Sequence, residues 1–135
     1  MTPGAESRIL NELGEDGLGR LVGAFYRRVR VDEVLGPMYR ASLEAQGEDW
    51  PDAERRLARF LCFRMGGSRA YVDERGHPRL RARHMAFAID RDGAGRWARA
   101  MMEAVEEMGV SDESAAELRS FFEQTAAWMV NRGEG

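Results

Sequence analysis

Pro78-Arg79-Leu80-Arg81-Ala82-Arg83-His84-Met85-Ala86-Phe87-Ala88-Ile89 is the stretch on which the reading of this chain turns. It carries His84, one of only two histidines, with a cationic run before it and an apolar run after it. A single imidazole thus has both anion-binding and apolar surroundings within reach. A haem makes the same demands: an apolar slot for its macrocycle, cations for its propionates and an axial nitrogen for its iron. In isolation, a histidine at the end of an arginine-rich turn is most often a surface or half-buried residue with no ligand. The rest of the chain has to shift that reading.

The 135 residues suffice for one domain with a real core, and 44% hydrophobic with 32% charged residues is a globular balance. Residues 1–135 are therefore read as a single domain, with 1–14 as an N-terminal extension or a short first helix. No apolar run is long enough to span a membrane, and Met1–Ser7 lacks the features of a signal peptide, so the expected compartment is the cytoplasm. The one cysteine, Cys62, excludes an internal disulfide and a multi-thiolate zinc cage, and reads as a small buried hydrophobe. A net charge of −3 argues against sequence-independent nucleic-acid binding. All twenty basic residues are arginine, which excludes a Schiff-base lysine and a P-loop lysine.

Hydrophobic spacing predicts helices nearly throughout. Leu18, Leu21, Val22, Phe25 and Val29 share one helical face; Leu57, Phe60, Leu61 and Met65 form a second stripe. Trp97, Met101, Ala104, Val105 and Met108 form a third, and Leu118, Phe121 or Phe122, Thr125 and Met129 a fourth. Ser111 can cap the last helix, with Asp112 and Glu113 on its positive end. Gly36-Pro37 is expected to end a short turn after Asp32-Glu33-Val34-Leu35, and Arg40 to Asp49 to be a polar loop leading to a helix start at Trp50-Pro51-Asp52. Gly66-Gly67 should stop the second helix, and Ser68 to Arg79 reads as irregular. No segment alternates as a strand would. Phe25, Tyr26, Phe60, Trp97, Met101 and Met129 suit a flat cavity, although such residues also fill ordinary cores.

Other constellations are weak. His77 and His84 would share a face only on a continuous helix, which Gly76 and Pro78 oppose. The carboxylate pairs Glu106-Glu107 and Asp112-Glu113 read as solvated charge. Asp90-Arg91-Asp92-Gly93 begins like a calcium loop, but Met101 stands where that loop needs glutamate.

Several ordered blocks remain: Phe25-Tyr26-Arg27-Arg28-Val29, Val34-Leu35-Gly36-Pro37-Met38-Tyr39, Phe60-Leu61 before Gly66-Gly67, Tyr71, Gly76-His77-Pro78-Arg79-Leu80-Arg81-Ala82-Arg83-His84, Phe87-Ala88-Ile89, and Trp97 with Met101. In this order, from about Leu18 to about Asn131, the chain resembles the group II truncated haemoglobins. The resemblance implies an all-α, two-over-two globin sandwich enclosing haem b, with His84 as the proximal iron ligand. It makes Tyr26, Tyr39 and Trp97 the distal hydrogen-bonding residues. It puts Leu57, Phe60 and Leu61 in the apolar pocket, with Phe87 and Met101 completing the cofactor's surroundings. Arg83 and Tyr71 match the residues that hold the propionates, with Arg56 a candidate to join them, and Ala53 falls at the gate for direct access from solvent. Two departures stand out: Arg40 follows Tyr39 where a proline is usual, and the connection from Tyr39 to Ala53 is longer. Trp50, in that connection, could cover the haem edge or staple the next helix.

The chemistry of these residues agrees with the implied roles. Imidazole is a good axial ligand, phenol and indole donors stabilise a polarised dioxygen, and the arginine fork suits a carboxylate. The expected ligands are dioxygen, nitric oxide and carbon monoxide, with tight oxygen retention suited to nitric oxide detoxification by dioxygenation, or to peroxide chemistry. Either turnover would need an external reductase. The alternatives are a gas sensor or ligand store without turnover and, more remotely, a haem-free helical interaction module. Neither nucleic acid nor membrane is expected as a partner, and a homodimer stays open.

Overall fold

A computed structural model describes residues 1–66 and 89–134, with side chains as far as Val130. The described residues form five helices and no strand: α1 (Ala5–Val31), α2 (Leu35–Gln46), α3 (Trp50–Arg64), α4 (Arg91–Met108) and α5 (Asp112–Glu134). Helix α1 bends at Gly14 (φ 69°, ψ 174°). It packs along both α3 and α4, and α4 packs along α5, so two helix pairs, α1 with α3 and α4 with α5, meet through the α1–α4 contact. Helix α2 crosses the end of α1 and touches α4.

The apolar stripes explain this packing. Leu18, Leu21, Val22, Phe25 and Val29 of α1 are fully buried, as are Leu61 of α3, Met101 and Ala104 of α4, while Leu118, Phe122 and Met129 of α5 are nearly so. All of them join one contiguous core. Burying such side chains contributes roughly 1.5–3 kcal/mol each, which is why the stripe rather than helix propensity sets the arrangement. Cys62 lies inside as a small apolar residue, and burial pushes its thiol up to about 11.

Caps mark the helix starts. Asp49 and Asp52 form a reciprocal capping box at α3, with Pro51 in its first turn. The Asp90 carboxylate accepts from the Gly93 N–H at 2.8 Å and opens α4, so the apparent calcium-loop beginning is a helix cap. Ser111 Oγ accepts from the Ser114 N–H at the start of α5, as its sequence position suggests.

Helix α2 corrects two expectations. Gly36-Pro37 does not end a turn, and Arg40 to Gln46 is not loop; one helix runs from Leu35 to Gln46, and only Gly47 to Asp49 form the connection. Pro37 falls in its first turn, where a missing N–H leaves no bond unmade. Leu35, Tyr39 and Leu43 recur every four residues and are all buried, a narrow stripe hidden among polar neighbours. The start is held by the Asp32 carboxylate, which accepts from the Val34 and Leu35 N–H groups at 2.8 Å each. Gly36 is needed for close approach: a Cβ there would lie 2.9 Å from the Arg30 carbonyl oxygen. The helix stops at Gly47, whose φ of 68° is left-handed and suits glycine.

Candidate functional site

Four helices bring their aromatic residues to one place. Tyr26 comes from α1, Tyr39 from α2, Trp50 from the first turn of α3 and Trp97 from α4. The Trp97 indole N–H donates to the Tyr39 hydroxyl oxygen at 3.1 Å, in a buried setting. Tyr26 lies edge-on to Tyr39, ring centres 5.8 Å apart. Phe25 backs the group, edge-on to Tyr26 at 5.0 Å and to Trp97 at 5.5 Å. Tyr26 and Trp97 are each 1% exposed and Tyr39 is 6% exposed.

Burial governs the electrostatics. It pushes the Tyr39 hydroxyl well above its ordinary pKa, only partly opposed by the Trp97 hydrogen bond and the Arg56 charge. Burial, then the neighbouring Tyr39, push Tyr26 the same way. Both phenols therefore stay protonated and can donate at neutral pH.

Leu57, Leu61 and Met101 are buried in the core that contains these rings, and Phe60 is half-buried against it. Ala53, buried, stands one turn along α3 from Trp50. Arg56 is 7% exposed, and its Nη1 donates to both carboxylate oxygens of Glu48 at 2.7 and 2.6 Å. Its Nε is buried without a hydrogen-bond partner among the described residues. His84, His77, Tyr71, Arg83 and Phe87 lie outside the described residues.

Sequence reasoning missed Glu48 as the partner of Arg56, and Phe25 as the backing of the aromatic group. The Glu48–Arg56 pair spans the corner between α2 and α3, and no spacing rule links residues across a corner that is itself read as loop. Phe25 was legible as an aromatic suited to a flat cavity and as part of an ordered block, but not as the ring behind Tyr26 and Trp97.

The family described as the bacterial-like globins matches residues 10–131. The group 2 truncated haemoglobin of Bacillus subtilis (strain 168) is 35% identical over 122 residues, spanning 90% of this chain and 87% of that protein. The chain belongs to the group 2 truncated haemoglobins. Solved structures of such haemoglobins share its fold. A thermostable haemoglobin from the actinobacterium Thermobifida fusca is similar with a TM-score of 0.79 and 35% identity, covering 91% of this chain and 96% of that one. A truncated oxygen-avid haemoglobin from Bacillus subtilis is similar with a TM-score of 0.77 and 33% identity, covering 91% and 98%.

The expected all-α globin fold is thus the observed one, and its family consists of oxygen-binding haem globins. The residues of this truncated haemoglobin fit that group. Two phenols and an indole N–H converge inside the core that also holds Leu57 and Leu61, with the buried Arg56 as the charged neighbour. The indole N–H is satisfied by the Tyr39 hydroxyl oxygen, and the phenols are the polar groups such a core would turn toward a small polarised ligand. By contrast, the open groove of about 520 Å³ between α1, α3 and the end of α4 is rimmed by Arg20, Arg27, Arg30, Glu54 and Glu107, which suits no macrocycle. No described helix is long and apolar enough to cross a membrane.

Proposed function

We propose that this globin holds haem b through His84 and retains dioxygen tightly for the dioxygenation of nitric oxide to nitrate. The observation that carries the reading is the buried hydrogen bond from Trp97 to Tyr39, with Tyr26 beside it. Haem b, held by His84, would supply a ferrous iron able to bind and polarise dioxygen. Tyr39 accepts from Trp97, and that bond fixes and polarises its hydroxyl. Tyr26 adds a second protonated phenol. Donors preset in a water-poor core need no reorganisation when the ligand's charge develops.

Leu57, Phe60, Leu61, Phe87 and Met101 supply the apolar slot in this reading. Arg83 and Tyr71 hold the propionates. Arg56 is committed to Glu48, which argues for a supporting role behind the tyrosines rather than a propionate contact. Dioxygen, nitric oxide and one electron balance to nitrate. The electron comes from a donor outside these residues, consistent with a reducing cytoplasm and an unpaired Cys62. Tight retention disfavours rapid oxygen delivery.

The test is a set of absorption spectra of the ferrous, oxygenated and carbon monoxide forms, followed by nitric oxide consumption with a supplied reductant. A strong haem band and many nitric oxide molecules consumed per haem are expected. Consumption that stops at one equivalent despite excess reductant would leave a ligand store or sensor instead.

A further inference from the structure

We propose that Trp50, clamped between Arg30 and the tyrosine pair, is the solvent seal of the distal cluster and sets how fast small ligands reach it. This rests on the distal reading of Tyr26 and Tyr39 given above. The two tyrosines are almost wholly buried, yet Trp50, which touches both, is itself half-exposed. Its indole stacks on Tyr39, ring centres 6.2 Å apart with the planes inclined by 21°. It also meets the edge of Tyr26 at 6.0 Å. Trp50 is therefore an outer layer between the phenols and water.

The seal is fastened from outside. The Arg30 guanidinium lies over the Trp50 ring, 5.0 Å from its centre, and is itself paired with Glu54 at 3.7 Å. The backbone beneath is fixed as well, because Trp50 is the first residue of α3 and lies inside the Asp49–Asp52 capping box. The neighbouring Glu48 of the same corner closes on Arg56. The longer connection between Tyr39 and Ala53 thus ends in a corner that delivers two side chains, Glu48 and Trp50, to the outside of the distal cluster. A part-exposed ring held by two ring contacts and one cation–π contact can swing aside without unfolding a helix, which suits a gate for diatomic ligands.

The experiment uses the ferrous haem-loaded protein and carbon monoxide, a weakly polarised probe that reports access more than hydrogen bonding. Bimolecular recombination is followed after flash photolysis, and tyrosine ionisation is followed separately by alkaline absorbance titration of the same proteins. Trp50→Ala should speed association about tenfold, through loss of both the stack and the cation–π contact. It should also bring a tyrosine titration down toward the ordinary range. Arg30→Gln keeps the ring and loosens the clamp, so association should rise about two- to fivefold, and this variant serves if Trp50→Ala does not fold. Trp50→Phe restores an aromatic cover and should stay near wild type. Unchanged association in Trp50→Ala and Arg30→Gln overturns the proposal. The titration then says which idea failed: a lowered titration means that Trp50 covers the tyrosines but does not stand on the ligand's path, so the gate falls, and the distal reading falls with it only if oxygen dissociation is also unchanged in Tyr39→Phe. An unchanged titration means that Trp50 is not the cover, and the distal reading stands.

Discussion

Trp97 and Tyr39 act as one unit, because the indole N–H is spent on the phenol oxygen at 3.1 Å. Removing either group should raise oxygen dissociation by about one to two decades, the equivalent of a hydrogen bond of roughly 1.5–3 kcal/mol to a charged acceptor. Trp97→Phe and Tyr39→Phe are the variants to measure. The double variant should fall well short of the product of the two effects, since the second change removes a bond already broken. Carbon monoxide dissociation should respond less. Fully multiplicative effects would mean that the two side chains stabilise the ligand independently, and equal effects on both gases would make Trp97 a steric wall. At the same scale, Arg56 and Glu48 are a nearly buried pair, with side-chain exposures of 6% and 18%. Glu48→Ala strands the guanidinium and should cost about 3–5 kcal/mol in urea denaturation. Arg56→Met leaves a carboxylate closer to water and should cost clearly less. The reverse order would show that the carboxylate, not the guanidinium, bears the burial cost.

Among the elements, α2 was the one misread from sequence. Its polar content made Arg40 to Asp49 look like loop, because its buried stripe is only Leu35, Tyr39 and Leu43. Such a narrow stripe stabilises a helix only when α1 and α4 are there to cover it, and propensity cannot report that. The corner before it depends on Gly36. Gly36→Ala would push a methyl against the Arg30 and Val29 carbonyl oxygens, 2.9 and 3.2 Å from its Cβ. A loss of about 1–3 kcal/mol is expected, the usual cost of overpacking. Gly95→Ala serves as control, since a Cβ there meets nothing within 4 Å. Equal thermal midpoints for the two variants would show that the corner yields freely. The Ser111 cap and the helix entry at Trp50-Pro51-Asp52 were easier to read, because a cap is a local arrangement of consecutive residues; Asp90, a cap of the same kind, looked only like the beginning of a calcium loop.

Across the whole molecule, Glu12 ties the first part of α1 to the start of α5. Its carboxylate accepts from the Ser111 N–H at 2.8 Å, from Ser111 Oγ at 2.9 Å and from Ser114 Oγ. The Ser114 bond, then the Ser111 bonds, hold Glu12 below the usual carboxylate range. The folded value is thus lower than the unfolded one. Its stabilisation is complete above the ordinary glutamate value of about 4.3 and is lost as pH falls through the depressed folded value. Thermal midpoints measured against pH should therefore converge for wild type and Glu12→Gln only in acid. Since Glu12 is exposed, the gap should also shrink with salt. A gap unchanged down to about pH 3 would mean that the carboxylate charge is not what matters. The cofactor gives a second test at this scale. His84→Ala should lose haem and the thermal stability that a tightly bound ligand adds, whereas His77→Ala should keep both. Haem retained in the first variant and lost in the second would exchange their roles.

The amino-acid sequence by itself determined the four long apolar stripes, two of the helix starts and the family. Periodicity, capping and ordered motif blocks are properties of consecutive residues, and they survive without knowledge of what lies opposite. It also singled out Tyr26, Tyr39 and Trp97, because the blocks that carry them are ordered as in the truncated haemoglobins. Only the tertiary structure decided that Trp97 donates to Tyr39, that Arg56 turns to Glu48 and that Trp50 closes over both tyrosines. These contacts join α4 to α2, and α3 to α1, to α2 and to the corner before it, across 58 and 8 residues for the two hydrogen bonds. Their partners are chosen by how the helices cross and by which buried polar atom would otherwise go unpaired, and neither quantity exists until the chain has folded.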